Sequence, residues 1–511
     1  MSKKRLIDYR IFLPSLLIVM GISIPFAFYE AESLELLNSI FNTIVDVFSW
    51  GYLWYGVILV AAALYFSFSK YGKVVLGDPA EKPRFTLFEY ASILIAMGIG
   101  STIMRTGMLQ WTSVANDPPA GVDPGSAESL LWGNSYSMFL WGFQVFAIFV
   151  MIAPAMGYVL HVQKRPLMRI SEACRVLFGD RFTDGWGGKV LDILFLISIL
   201  TGAAVTLGLG APIITYNLSS LLNMEVTFGM TIIVTAVWVF LFSLSAYLGI
   251  EKGIKRLSTL NMYLAGLFAV LILIAGPGVF ILNYFTDSVS FLLSHYLTFS
   301  LNTDSVHGGE PSHVQSNTVF WFAYSATWAM LHSVFAAKIS KGRTIKEMIL
   351  TYLLAPTMIS WIATGVLGGL GVHRYLTGEL SILKLVRQDE RMAAIPEILN
   401  TLPIGGIMIV IFIIVALIFL TTTLDSTTYT VAAYTSTRDM SQHEPAKLLR
   451  IVIAGVIAGL ALLLMRIGGL APLEVISGLM GLPIIVVQFI LIYAAKKMMD
   501  EDQAWKYNIR K

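Results

Sequence analysis

Charge is what this chain has least of. Only 13% of its 511 residues are Asp, Glu, Lys or Arg, and 56% are hydrophobic; an ordinary soluble domain has ~25% and ~45 to 50%. So few charges cannot cover a water-facing surface, which leaves lipid to cover most of it. Cysteine is almost absent too. The single Cys174 excludes an internal disulfide and a thiolate metal cluster. No P-loop pattern occurs, so coupling to ATP would need a separate subunit. No H-x-x-x-H pair and no nucleophile motif accompany His332 and Asp425, which argues against a membrane-embedded enzyme. A ring of pore charges and a filter sequence are also missing, which disfavours a channel. The net charge of +3 is too small to suggest a nucleic-acid partner.

What the chain does have is apolar runs from end to end. Crossing ~30 Å of hydrocarbon takes ~20 helical residues. Twelve segments qualify as candidates: 11–28, 51–68, 88–106, 135–160, 190–213, 228–246, 260–284, 318–337, 348–370, 404–430, 451–465 and 473–494. In lipid their backbone groups must pair internally, so they are expected to be helices. No small-residue cleavage site follows the first run, so it is expected to be retained rather than removed as a signal peptide. Lys and Arg fall in alternate loops, among them Lys70 to Arg84, Lys164 to Arg169, Lys252 to Arg256 and Lys338 to Lys346. By the positive-inside rule both termini are cytoplasmic, in a multi-pass protein of the cell membrane. The loop 373–402 is mixed in charge and fits less well. Segments 285–301 and 383–399 read either as interfacial helices or as ordered loops.

The stretch 318–346 (TVFWFAYSATWAMLHSVFAAKISKGRTIK) ends in Ala337 to Thr344, AKISKGRT. This resembles the signature A-R-I-S-R-G-R-[ST] of the betaine/choline/carnitine transporter family. Met97-Gly98-Ile99-Gly100 is similar to that family's G-M-G-I-G, and 283–289 (NYFTDSV) to a run in its carnitine-exchanging members. Lys252-Gly253-Ile254-Lys255 resembles the start of the family's seventh span. The resemblance implies an all-α polytopic membrane protein of twelve transmembrane helices. Its architecture would be LeuT-type, two extra helices before a 5+5 inverted repeat. The implied division is 1–85 (N-terminus and two peripheral helices), 86–285 (first repeat), 286–316 (external segment), 317–495 (second repeat) and 496–511 (short tail). Members of the family are often homotrimers.

Such folds place the solute near the bilayer midplane beside a broken helix. Gly98 and Gly100 offer the break, with Ser101 beside it. The family's eighth span reads W-A-W-W, an aromatic cage for a quaternary ammonium. Here the aligned residues are Phe322-Ala323-Tyr324-Ser325, with Trp328 at a later aromatic position and Trp321 just before. A weaker cage is expected from Tyr324 and Trp328 with Tyr136 or Trp141; Trp321 is open between packing and cage. Arg105, where the family has an uncharged residue, reads either as a partner for a carboxylate or as an interfacial guanidinium. His332 reads as a hydrogen-bond donor to the solute, a proton-coupling group or a histidine bonded to a carbonyl.

Thr422 and Thr423 match the two hydroxyl residues that hold sodium in coupled family members, where Leu94 and Met97 would supply carbonyls. Threonine also back-bonds within helices, which is the competing reading. Sodium-independent exchangers fill that site with an arginine; this chain has Asn261 there. Asp425 is expected to bond within its own helix. Lys338, Lys341 and Arg343 read as a topological anchor and lipid headgroup contact. The short, mixed-charge tail argues against osmotic regulation of the kind seen in relatives with long basic tails. The reading is a transporter, with no enzymatic activity and no cofactor, that imports a small zwitterionic or quaternary-ammonium solute with sodium. The alternatives are a sodium-independent exchanger and a proton symporter using His332.

Overall fold

Hydrocarbon leaves the backbone no partner but itself, and the architecture follows from that. The computed structural model describes residues 7–119, 121–303, 315–387, 391–440, 443–467 and 471–510, with the side chain of Ser101 outside the described residues. The described residues are helical nearly throughout, with three isolated β-bridges and no sheet.

The helices that position the site are α1 (Tyr9–Phe28), α2 (Glu30–Phe68), α3 (Leu87–Gly98), α4 (Gly100–Asn116), α5 (Ala127–Leu140), α6 (Phe143–Val150), α7 (Trp186–Leu222), α8 (Phe228–Gly249), α9 (Lys255–Ala275), α10 (Gly278–Ser294), α11 (Phe320–Ile339), α12 (Ile345–Ala363), α13 (Gly405–Thr435), α14 (Lys447–Ile467) and α15 (Ala471–Glu501). Among the described residues, eight helices are long and apolar enough to cross a membrane, and nine if the bent pair α3–α4 is one span. The other three expected spans fall on α1, α11 and α14. For α11 the reason is visible in its residues: Ser325, Thr327, His332 and Ser333 lower its hydropathy, and all four are buried against protein rather than lipid.

Two expected boundaries shift. The apolar run 260–284 does not continue as one helix. Gly276 is extended (φ −106°, ψ −165°) and Pro277 offers no amide, so α9 ends at Ala275 and a new helix starts at Gly278. The expected external segment 285–301 therefore lies within α10 and a short helix, Tyr296–Leu301, while 304–314 lie outside the described residues. The second change is at 135–160, where the helix breaks at Trp141–Gly142 (Gly142 φ −111°, ψ −161°) before α6.

The AKISKGRT signature has a structural explanation. Thr344 is the N-cap of α12: its hydroxyl accepts from the Glu347 amide, and the Glu347 carboxylate accepts from the Thr344 amide. Gly342 has φ +80°, and a Cβ there would lie 2.7 Å from the Lys82 carbonyl group. The loop is clamped from both sides: Leu76 N–H donates to Arg343 O (2.8 Å), Ile345 N–H to Val74 O (2.9 Å), and Val75 N–H to Asn508 O of the tail (2.9 Å). The basic residues serve this clamp and are not simply presented to lipid headgroups. Lys341 pairs with Glu81 (2.7 Å), Lys338 donates to the Met440 carbonyl, and buried Arg343 donates to Phe85 O (2.7 Å) with its guanidinium over the Tyr90 ring.

α11 is buried along most of its length, and α15 approaches it at a glycine. A Cβ at Gly481 would meet the Ala323 carbonyl oxygen at 2.4 Å, whereas nothing lies within 4 Å of one at Gly455 in α14. Gly481→Ala is therefore expected to destabilise the protein by roughly 1–3 kcal/mol. Gly455→Ala should leave the melting temperature in detergent unchanged or raised.

Candidate functional site

The third span is broken where its glycines predict. α3 and the helical segment from Thr102 meet at 57°, with Ile99 off helical geometry (φ −126°, ψ −16°). The two glycines do different work. A Cβ at Gly100 would lie 2.6 Å from Thr423 Oγ1 and 3.2 Å from the Phe419 carbonyl oxygen, so the missing side chain lets α13 touch the break. At Gly98 a Cβ would make ordinary contacts, 3.4 Å from Tyr352 Oη and 3.7 Å from the His332 ring.

Opposite the break stands one face of α11. Trp321, Tyr324, Ser325, Trp328 and His332 are spaced to lie along one stripe, and all five line a cavity of about 430 Å³, counted to its open side. The broken helix contributes Met97, Gly98, Ile99, Gly100 and Thr102; Trp141, Phe149, Thr206 and Thr423 complete the wall. The rings form a row. Trp141 meets Trp321 edge-on at 5.0 Å between centroids, Trp321 lies 5.8 Å from Tyr324, and Tyr324 6.4 Å from Trp328. His332 continues it at 5.8 Å, stacks on Phe149 at 4.1 Å, and has Nδ1 2.5 Å from the Tyr352 hydroxyl. Its partner is thus a side chain, not a carbonyl. Among the described residues, no Asp, Glu, Lys or Arg lines this cavity. Three polar atoms of its lining residues, Ser325 Oγ, Trp328 Nε1 and Trp141 Nε1, are buried without a hydrogen-bond partner among the described residues.

Other expected residues sit elsewhere. Tyr136 is outside the cavity: its hydroxyl pairs with that of Thr318, and its ring packs on Phe299 at 5.3 Å. Trp141, at the helix break, is the ring that reaches the wall. Leu94 is buried in α3 and does not line the cavity. The Thr423 hydroxyl lies 3.0 Å from the Ala96 carbonyl oxygen, the acceptor that an unbroken ladder would offer to the Gly100 amide. The same hydroxyl is also 3.0 Å from the Phe419 carbonyl oxygen of its own helix, so in α3 it is Ala96 whose carbonyl it reaches. Thr422 bonds back to Ile418 O (3.1 Å) and Phe419 O (2.9 Å) of its own helix. Asn261 donates to the Val415 carbonyl at 3.2 Å, tying α9 to α13 away from the cavity. Asp425 does not bond within its own helix through its carboxylate; it reaches Arg450 and Ser245. Thr102, Phe149, Thr206 and Tyr352 went unnoticed in the sequence. Thr102 directly follows Ser101 at the break, while the other three lie on three other stretches of chain, and one threonine or ring in an apolar run carries no signal by itself.

Arg105 lines a second, solvent-open cleft of about 930 Å³ counted to its mouth, together with Arg391, Gln110 and Trp321. Trp321 borders both cavities, and its Nε1–H donates to the Leu140 carbonyl at 2.8 Å, so this ring is the partition. A guanidinium on the far side of Trp321 from the ringed cavity acts on approach more than on the bound state. Arg105→Met is therefore expected to weaken the apparent affinity for an anionic or zwitterionic ligand roughly threefold to tenfold, with less effect on a cationic one. Initial uptake rates measure this.

Residues 10–504 match the model of BCCT, betaine/carnitine/choline family transporter. The chain belongs to this family. It is thus a multi-pass membrane transporter with a small-molecule substrate. Among solved structures it is similar to a Na⁺-coupled sialic acid symporter in a substrate-bound outward-open state, at 13% identity over 87% of this chain and 86% of that one (TM-score 0.44). It is also similar to a nucleobase-cation-symport-1 family transporter in a closed conformation with bromovinylhydantoin bound, at 14% identity over 84% of this chain and 78% of that one (TM-score 0.39).

Proposed function

We propose that this transporter imports a small zwitterion of the betaine or carnitine kind together with sodium, by alternating access, with both termini in the cytoplasm. The observation that carries the proposal is the cavity between the broken helix and α11: ringed by Trp141, Trp321, Tyr324 and Trp328, it has no ionised side chain in its wall among the described residues. A quaternary ammonium donates no hydrogen bond and is held by ring faces. A solute of zero net charge enters such a wall without leaving a buried charge uncompensated, which a net cation would do. The unpartnered Ser325 hydroxyl and indole N–H groups suit an anionic end.

For the ion, the Thr423 hydroxyl and the Ala96 carbonyl offer two uncharged oxygens 3.0 Å apart beside Gly100. Uncharged oxygen ligands suit a hard cation that must be released again. Both threonines bond back within α13, Thr423 to Phe419 O at 3.0 Å, but among the described residues only Thr423 also reaches a carbonyl of the broken helix, so Thr422 is the weaker candidate. Binding of solute and ion together favours closure, because each adds differential affinity for the closed state.

The test is uptake of radiolabelled glycine betaine into proteoliposomes with and without an inward sodium gradient. Uptake is expected only with sodium. Thr423→Ala should raise the sodium concentration for half-maximal uptake by about tenfold, the worth of one good contact to a charge, with the ranking of solutes unchanged. Sodium-independent uptake would favour an exchanger instead.

A further inference from the structure

The cavity leaves an ionised cluster between α8, α13 and α14 unexplained. Asp425 of α13 and Arg450 of α14 are no more than 1% exposed and form an ion pair. The second carboxylate oxygen accepts from the Ser245 hydroxyl of α8 at 2.5 Å. The guanidinium lies 5.2 Å from the centroid of the Tyr429 ring, one turn further along α13, and Arg450 Nε is among the buried atoms without a partner. Gly253 makes room for the contact, since a Cβ there would lie 2.8 Å from Ser245 Oγ. None of these residues lines the solute cavity.

A buried pair is weak evidence of stability, because desolvation offsets most of the attraction. Inside a membrane its value is directional. Apolar side chains pack against lipid as well as against helices and do little to fix how a helix is rotated; charge-assisted hydrogen bonds do fix it. Residues two apart on a helix point about 200° apart. Asp425 therefore faces α8 and α14 while Thr423, two residues earlier, faces the break at Ala96 and Gly100.

We propose that Asp425, Arg450 and Ser245 are positioning residues that set the rotation of α13, and so hold the Thr423 hydroxyl against the broken helix. The inference rests on the sodium reading above. It assigns the cluster to ion affinity and leaves solute selectivity to the cavity rings.

The experiment compares wild type, Asp425→Asn, Ser245→Ala and the exchanged pair Asp425→Arg/Arg450→Asp, all reconstituted. For each, the sodium concentration for half-maximal glycine betaine uptake is measured, together with the glycine betaine affinity at saturating sodium. Asp425→Asn should raise the sodium requirement roughly tenfold and Ser245→Ala about threefold. Solute affinity at saturating sodium should stay within about twofold, and the exchanged pair should recover part of the loss. Ser245→Ala is the mild variant that keeps the test meaningful if Asp425→Asn fails to fold. A wild-type sodium requirement in folded Ser245→Ala and Asp425→Asn overturns the inference and leaves the sodium reading intact. Equal losses of sodium and solute affinity also overturn it, because a merely structural pair would behave that way. A wild type indifferent to sodium removes both.

Discussion

Gly100→Ala should cost this transporter most of its uptake at ordinary sodium concentrations, and Gly98→Ala should leave its sodium requirement unchanged. The glycines are two residues apart in one motif, so the sequence gives no reason to separate them. Their surroundings do. A methyl group on Gly100 meets Thr423 Oγ1 at 2.6 Å and the Phe419 carbonyl oxygen at 3.2 Å. The hydroxyl can turn away only by leaving the Ala96 carbonyl, and the Phe419 oxygen belongs to the backbone of α13. Either the contact across the break is lost or α13 moves. Overpacking of this kind costs ~1–3 kcal/mol, or roughly tenfold to a hundredfold in the sodium needed. A methyl group on Gly98 has ordinary contacts with Tyr352 and His332. It should alter solute affinity, because it projects into the cavity wall, but not sodium dependence. Sodium titration of uptake at saturating solute reads the first effect, and solute titration at saturating sodium the second. Identical profiles for the two variants would mean that the glycines serve only to break the helix.

Trp328→Leu is expected to remove detectable binding of glycine betaine. Trp328 lies against Gly202 of α7, where a Cβ would meet its ring at 3.1 Å, and stands between Tyr324 and His332 in the row of rings. Nearly buried at 8% exposure, it meets a ligand in a setting that excludes most water. There a cation–π contact is worth ~2 kcal/mol or more, so its loss alone weakens binding about thirtyfold. Leucine also leaves empty volume beside Gly202. Trp328→Phe keeps a weaker ring and should retain part of the affinity. Ligand-induced shifts in melting temperature order the three proteins. Full affinity in Trp328→Leu would reduce the ring to packing.

Much of this site can be read from the sequence, for physical reasons that differ from residue to residue. Gly98 and Gly100 announce a break because few other features interrupt an apolar run. The α11 face is visible because Trp321, Tyr324, Ser325, Trp328 and His332 recur at helical spacing. Trp141 and Tyr136 were not separable: they lie five residues apart, and the break at Trp141–Gly142 that turns one ring inward is a backbone event. The carbonyl that meets Thr423 depends on which turn of α3 frays. The partners of Asp425 are invisible locally, since Ser245 and Arg450 arrive from other helices 180 and 25 residues away. The end of α9 at Ala275 is hidden in the sequence, because hydropathy runs straight through Gly276 and Pro277. Arg105 reads as an intramembrane charge in the sequence, whereas its cavity lies beyond the Trp321 partition.

The central claim is that the break in α3–α4 and the ringed face of α11 enclose the solute. Its most direct test is solute protection of a cysteine in that wall. Native Cys174 is buried, so Ser325→Cys can be made in a Cys174→Ser background and the labelling rate by a small thiol reagent followed in proteoliposomes. Glycine betaine with sodium is predicted to slow labelling at position 325 strongly, and to leave a Glu225→Cys control, exposed in the loop between α7 and α8, unaffected. A rate at position 325 that glycine betaine does not change, under conditions where the protein transports it, would contradict the account.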